Sequence, residues 1–436
     1  MEIKPFKAYR FNPAKVGDVG RCIAPPFDVI GKAEQEHLYK KSKYNIVRIT
    51  KGKETEADND KNNVYTRAGE RLSRWLKEGV LKQDQSEAIY GYVQDFQAGG
   101  REFQRLSFIA MAKLEEFGKT VRPHEGTVEK YKTDRLKLKR ATRATFGLPF
   151  LLYEDRLATA DTIIEKTSKQ PALVDFVDEQ GVRHRLFAIT AREDINAIVE
   201  MLRDKDCIIA DGHHRYETGL RYSKESPDPA AKYLMISFVN TCQKGLVILA
   251  TYRAIYGIEN FSAEELVGKL KENFEITEYR FDSATAKSQA KEKMLSKMKS
   301  CYDEGKNVFG FYCSDSAFRV AVLKNSRVME SAAPDKSPAW RSVDVSVLQK
   351  LVLEKLLGID EVKLAAGSNI EYINDVGDAF ERAVGKVDSG EKQVVFFLNP
   401  IKMHQLTEIT AAGEKMPQKS TYFYPKVYTG LTINKM

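Results

Sequence analysis

Along this chain, stretches with an apolar residue at every second position alternate with stretches in which apolar residues recur every three or four. Between Asp60 and Lys77, the residues Val64, Ala68, Leu72, Trp75 and Leu76 fall on one helical stripe, and Gly79 reads as its stop. Strands are expected at Ala88–Val93 and at Leu106–Leu114, where Leu106, Phe108, Ala110, Ala112 and Leu114 alternate. A basic helix is expected from Thr127 to Thr142. Further strands are expected at Phe146–Tyr153, Ala172–Val177 and Val182–Ile189, with Gly181 turning the last two into a hairpin. Arg192–Leu202 is amphipathic through Ile195, Ile198, Val199 and Leu202, and leads into the apolar run Cys207–Ala210. Ser223–Ala231 has loop composition, and strands are expected at Tyr233–Asn240 and Leu246–Tyr256. Ser262 and Glu265 form the signature of a capping box, and Asp344 the cap of a helix over Val345–Leu357. The order of elements predicts an α+β fold, mixed α/β in character. Its expected parts are an N-terminal α/β segment (1–85), a core (86–258) and a C-terminal α/β domain (259–436) with a tail able to return to the site.

Composition narrows the class. The chain has 436 residues and is 42% hydrophobic and 30% charged, which excludes a wholly disordered protein. No run approaches the roughly 20 apolar residues of a membrane span, and no apolar stretch follows the first residues as in a secretory signal. Five scattered cysteines without metal-type spacing read as reduced core thiols, so a cytoplasmic protein is expected. The formal net charge of +8 is local: Lys119–Arg143 holds nine basic and three acidic residues. A concentrated patch favours a small phosphorylated ligand over an extended nucleic-acid surface.

The sharpest local pattern is Asp211-Gly212-His213-His214-Arg215, directly after the apolar run. A helix N-terminus with a glycine before it favours phosphate or carboxylate, and Arg215 offers a fork for phosphoryl oxygens. The alternative is structural, with Asp211 as N-cap and both histidines on the surface of the first turn. Adjacent histidines diverge by about 100° on a helix, unlike an i, i+4 ligand pair, so no metal ligands are assigned.

A second constellation, Arg122-Pro123-His124-Glu125-Gly126-Thr127, opens the basic helix. Glu125 could take a proton from an attacking hydroxyl, with Arg122 balancing charge; the alternative is ordinary helix-entry chemistry. Asp28, in Ala24-Pro25-Pro26-Phe27-Asp28, suits a pocket wall or a plain extended connector. Lys419, Ser420 and Thr421 form a phosphate-contact set, or else belong to a C-terminal strand that packs Tyr422, Phe423 and Tyr424.

Arg-Pro-His-Glu followed by Asp-Gly-His-His-Arg resembles the ParB/sulfiredoxin superfamily, above all its free-serine-kinase branch. Gly212, His214 and Arg215 fall on its shared phosphate-cradle positions, and His213 replaces the sulfiredoxin cysteine. The resemblance implies a ParB/sulfiredoxin-like core, here carrying a large insertion between Phe146 and Ile189. It implies catalysis by Glu125, with His124 and His213 beside it, and phosphate binding by Asp211–Arg215 and Arg122. Over nearly its whole length the chain also resembles domain-of-unknown-function family 1015. The segments that carry this include Ala24–Val29, Trp75–Leu81, His124–Thr127, Ala210–Glu217, Leu398–Pro400 and Met416–Lys426. The implied activity is transfer of phosphate from ATP or ADP, with Mg²⁺, to a small hydroxyl metabolite such as serine. A ParB-like nucleotide- or DNA-binding protein without turnover is one alternative, and a phosphoester hydrolase using the same pocket is another. No helix-turn-helix follows the junction, which counts against DNA.

Overall fold

The computed structural model describes residues 1–127, 129–360, 363–364 and 368–436. The chain is mixed α/β and divides into two compact units. Unit 1 holds residues 1–123, 127–247 and 425–436; unit 2 holds 124–126 and 248–424. No helix among the described residues is long and apolar enough to cross a membrane.

Unit 1 is built on a nine-stranded sheet. In chain order its strands are β1 (Ile3–Lys4), β2 (Ile89–Ala98), β3 (Arg101–Lys113), β4 (Val121–Pro123), β5 (Phe150–Tyr153), β6 (Val174–Val177), β7 (Arg183–Ile189), β8 (Cys207–Asp211) and β9 (Tyr233–Asn240). Their spatial order is β4-β8-β5-β9-β3-β2-β7-β6, with β1 also on β3. Most pairs are antiparallel, but β8 runs parallel to β4, with Ile209 level with Pro123, and β5 runs parallel to β9. The helices of unit 1 include α1 (Val64–Lys77), α2 (Glu129–Thr142), α3 (Thr159–Thr167), α4 (Arg192–Leu202) and α5 (His213–Glu225). Val128, where helix was also expected, lies outside the described residues. Ile163 and Ile164 of α3 and Ile198 and Leu202 of α4 join Ile89, Phe108, Ile209 and Phe238 of the strands in one buried core. The face read from periodicity on α1 is the buried one, since Ala68, Leu72 and Trp75 are enclosed. Gly79 takes the left-handed conformation that ends that helix.

Three local expectations give way here. Phe146–Tyr153 is a strand only from Phe150, and the two residues before that stretch, Ala144–Thr145, form a separate strand with Asn434–Lys435. Ser223–Ala231 is not all loop, since α5 runs on to Glu225 and Pro229–Lys232 forms a 3-10 turn. Cys242 is exposed, although the other four cysteines are buried and all five are free thiols.

Unit 2 carries a six-stranded, wholly antiparallel sheet of β10 (Thr251–Ile255), β11 (Phe274–Arg280), β12 (Val308–Tyr312), β13 (Ala317–Leu323), β14 (Ile370–Asn374) and β15 (Val394–Leu398). Their order is β11-β13-β12-β15-β10-β14. The helices α6 (Ala284–Asp303) and α7 (Ala379–Asp388) supply Met294, Met298, Phe380 and Val384 to its core. α6 lies so close that a Cβ on Gly310 would stand 2.7 Å from the Met298 sulfur. Ser262 accepts from the Glu265 amide at the helix it was expected to cap. Asp344 does not cap: it is the first helical residue, and its carboxylate accepts from Asn307 Nδ2 at 2.9 Å and from the Val308 amide at 3.2 Å. The helix behind it continues as a π-helical stretch, Leu348–Glu354.

Candidate functional site

The junction between β8 and α5 is built as the sequence suggests, with one change of roles. Gly212, not Asp211, is the residue before the helix, and it is left-handed at φ 82°. A Cβ there would lie 2.9 Å from Arg215 Nε and 3.0 Å from the Pro149 Cα, so backbone conformation and space both select glycine. Asp211 is thereby released from capping. Its Oδ2 accepts from Arg215 Nη2 at 2.8 Å, and its Oδ1 faces Lys426 Nζ at 3.2 Å. Burial opposes ionisation of Asp211, but the Lys426 and Arg215 charges outweigh it and hold the carboxyl well below the usual carboxylate range. Arg215 also donates from Nη1 to the Leu148 carbonyl at 2.6 Å. Two of its five N–H groups are thus engaged among the described residues.

Both histidines depart from a plain surface turn. His213 is 5% exposed. His214 meets the ring of Tyr131 on α2 edge to face, 5.4 Å between centroids. α2 and α5 pack together, and Thr127 Oγ1 and Lys132 Nζ both reach Glu217 of α5, at 2.8 and 3.1 Å. Arg122 forms an ion pair with Asp206.

A buried cation that the sequence reading missed stands behind this junction. Arg105 of β3 donates from Nε to Gln94 Oε1 at 3.1 Å, reaches the Pro425 carbonyl, and lies 4.9 Å from the centre of the Phe150 ring. Burial pushes it down to about 10, opposed by the charge of Asp211. Its one sequence signal is a charge inside a strand whose neighbours alternate.

Unit 1 also has a cleft of about 1120 Å³, lined by Phe27, Asp28, Lys51, Tyr131 and Arg135 among others. The Arg135 guanidinium stacks over Phe27 at 4.1 Å. A smaller cavity of about 70 Å³ shares Phe27 and Arg135 and reaches Arg215 and Lys139.

The remaining candidates gather in unit 2. His124 Nε2 and Thr421 Oγ1 are 2.8 Å apart, and Glu125 Oε1 accepts from the Lys419 amide at 3.0 Å. Arg253 of β10 donates to the Lys419 carbonyl at 3.1 Å, and burial pushes it down to about 10 against the pull of Tyr372 and Glu125. Lys419 itself is left-handed at φ 55°, and the buried Ser420 hydroxyl donates to the Pro417 carbonyl. Two motifs far apart in sequence therefore meet as one hydrogen-bonded turn.

The family model described as protein of unknown function (DUF1015) matches residues 3–346. Among curated proteins no relative matches. Among solved structures, a free serine kinase in complex with AMP is 16% identical, covering 74% of this chain and 92% of that one at a TM-score of 0.36. A conserved hypothetical protein from Pyrococcus furiosus is 15% identical, covering 73% and 98% at 0.34. A C-terminally truncated SbnI from Staphylococcus aureus is 8% identical, covering 74% and 86% at 0.34. Overlap this loose fixes neither the fold nor the chemistry.

Proposed function

The chain belongs to that family, and we propose that it binds a nucleotide, ATP or ADP, and transfers phosphate to a small hydroxyl metabolite, serine or a relative of it. The observation that carries this reading is the charge arrangement at the strand–helix junction. Arg215 and Lys426 both meet the carboxylate of Asp211 at the N-terminus of α5, so two cations converge at the start of one helix. A helix N-terminus adds its own positive end, so the place favours a phosphoryl group. An arriving phosphate would compete with Asp211 for the two cations, and the three Arg215 N–H groups not engaged among the described residues give it something to hold.

In this reading unit 1 has a ParB/sulfiredoxin-like core. Gly212, His214 and Arg215 occupy the phosphate positions, and His213 stands beside them. Glu125 takes the proton of the acceptor hydroxyl, with His124 fixing the turn it stands on. Phosphoryl transfer asks a protein mainly for positioning and positive charge, which is what these residues offer. Among the described residues, no group of three His, Cys, Asp or Glu is placed to hold a metal ion. Mg²⁺ would come with the nucleotide's phosphates and offset their charge.

Calorimetric titration of ADP and ATP into the wild type and Arg215→Ala tests the reading. The variant should bind about tenfold more weakly or worse, as expected on losing a charge-assisted contact. Equal affinities would overturn the phosphate assignment.

A further inference from the structure

The 70 Å³ cavity beside Arg215 has a lining that the junction's chemistry does not use. Its walls are largely apolar, with Phe27, Leu138, Phe146 and Leu234 among them. Set into these walls is Lys139 of α2, 8% exposed. Its Nζ donates to Thr145 Oγ1 at 2.5 Å, the one hydrogen bond it makes among the described residues, and no carboxylate pairs with it there. An ammonium has three donors, so two remain for the cavity. Thr218 of α5 lines the same space and is 5% exposed. Its Oγ1 is buried without a hydrogen-bond partner among the described residues. A helical threonine ordinarily turns its hydroxyl back onto a preceding carbonyl, so this one stands out.

A buried cation without a counter-charge beside an orphaned hydroxyl is costly unless something completes it. We propose that this cavity binds the carboxylate of a small hydroxy or amino acid, held by Lys139 and Thr218. The identification of that acid as the phosphate acceptor rests on the function proposed above; the binding site does not. The donors match a carboxylate, which accepts several hydrogen bonds through two oxygens. The apolar walls suit a short carbon chain. One unpaired ammonium suits a monoanion, whereas a dianionic phosphate would ask for a second unpaired cation. Of the guanidiniums bordering the cavity, Arg135 is paired with Asp134, while Arg215, paired with Asp211, is the group given to the phosphoryl ligand above.

Burial also pushes the Lys139 amine down to about 8, so the empty site loses its charge just above neutrality. The other groups that face it are the guanidiniums of Arg135 and Arg215 and the ring of Tyr222, 5.7 Å away.

The test is calorimetry on the full chain without nucleotide, titrating L-serine and glycolate, with inorganic phosphate as the comparison. The wild type should bind the two carboxylates, and the affinity should fall as pH rises from 7 to 9.5. Lys139→Met and Thr218→Val should each weaken binding by about tenfold, the order expected for a hydrogen bond to a charged group. ADP affinity should stay unchanged in both variants. Absence of carboxylate binding to the wild type, or equal binding to the variants, would overturn the proposal, as would phosphate binding through Lys139 in place of the carboxylates. If the carboxylates bind through Lys139 while no nucleotide binds, the phosphotransfer reading fails and the site stands. Should Lys139→Met not fold, Thr218→Val and the wild-type pH profile decide, since a pH-independent affinity would also overturn the site.

Discussion

Lys426 follows Asp211 by 215 positions, yet its Nζ lies 3.2 Å from the Asp211 carboxylate. Arg215, on the adjacent helix, shares that carboxylate with it. The junction is therefore completed by a residue from a remote segment, and its stability depends on that segment staying in place.

Lys426→Met removes the foremost of the charges that keep Asp211 ionised. The expected loss in unfolding free energy at pH 7 is about 1–3 kcal/mol, read by chemical denaturation. The sign of its pH dependence follows from a depressed carboxyl. The wild-type contribution is fully present above the unfolded value of about 4 and is lost as the pH falls through the folded one. The gap between wild type and variant should therefore narrow in strong acid.

Gly212→Ala forces a side chain into a left-handed position and against Arg215 and Pro149. A loss of about 1–2 kcal/mol or more is expected, together with weaker ADP binding as the guanidinium is pushed aside. Wild-type stability in the variant would show that the junction backbone can relax.

Asp344 carries the opposite sign. Burial pushes its carboxyl up to about 7, against hydrogen bonds from Asn307 and Val308. The folded state then holds a proton that the unfolded chain has already released, so stability falls as pH rises from about 4 towards 7. Asp344→Asn should abolish that slope and be relatively more stable at pH 8 than at pH 5, as thermal unfolding at the two pH values would measure.

Two substitutions at Glu125 separate its anchoring role from its proposed chemical one. Glu125→Gln keeps an oxygen for the Lys419 amide, so stability should stay within about 0.5 kcal/mol. Turnover should drop by about 10²- to 10⁴-fold if the carboxylate is the base. Glu125→Ala should lose both. Full turnover in the glutamine variant would place the base elsewhere.

Elements with strong, uninterrupted periodicity were legible from the sequence. The helix Arg192–Leu202 and the strand Tyr233–Asn240 have the expected bounds, and the hairpin turns at Gly181. Expectations failed where a distant partner decides. Asp344 looked like a cap because serine- and aspartate-type caps are local chemistry, but Asn307 and Val308 claim it from another part of the chain. Leu246–Tyr256 reads as one strand, yet it breaks at Ala250 into Val247–Leu249 and Thr251–Ile255. At the candidate site the motif residues announced themselves, but the pairings among them did not. Both members of the His124–Thr421 and Glu125–Lys419 contacts stood out individually, and no pattern linked them. The burial of Lys139 and of Arg105 is a product of packing between remote segments, for which composition carries no sign.

The segment 425–436 belongs to unit 1, where Thr429 bridges to Ala24 and Asn434–Lys435 pairs with Ala144–Thr145. A ribosome delivers these residues only after all of unit 2 has emerged. Strand β3, with the cation Arg105, is made hundreds of residues before the Pro425 carbonyl that it bonds. Unit 1 must therefore wait, incomplete, through the synthesis of unit 2, and its Asp211 stays without Lys426 until that synthesis is done. Such non-local closure slows folding, and a stalled or prematurely terminated chain would carry an unfinished junction even though every motif residue in it had been made.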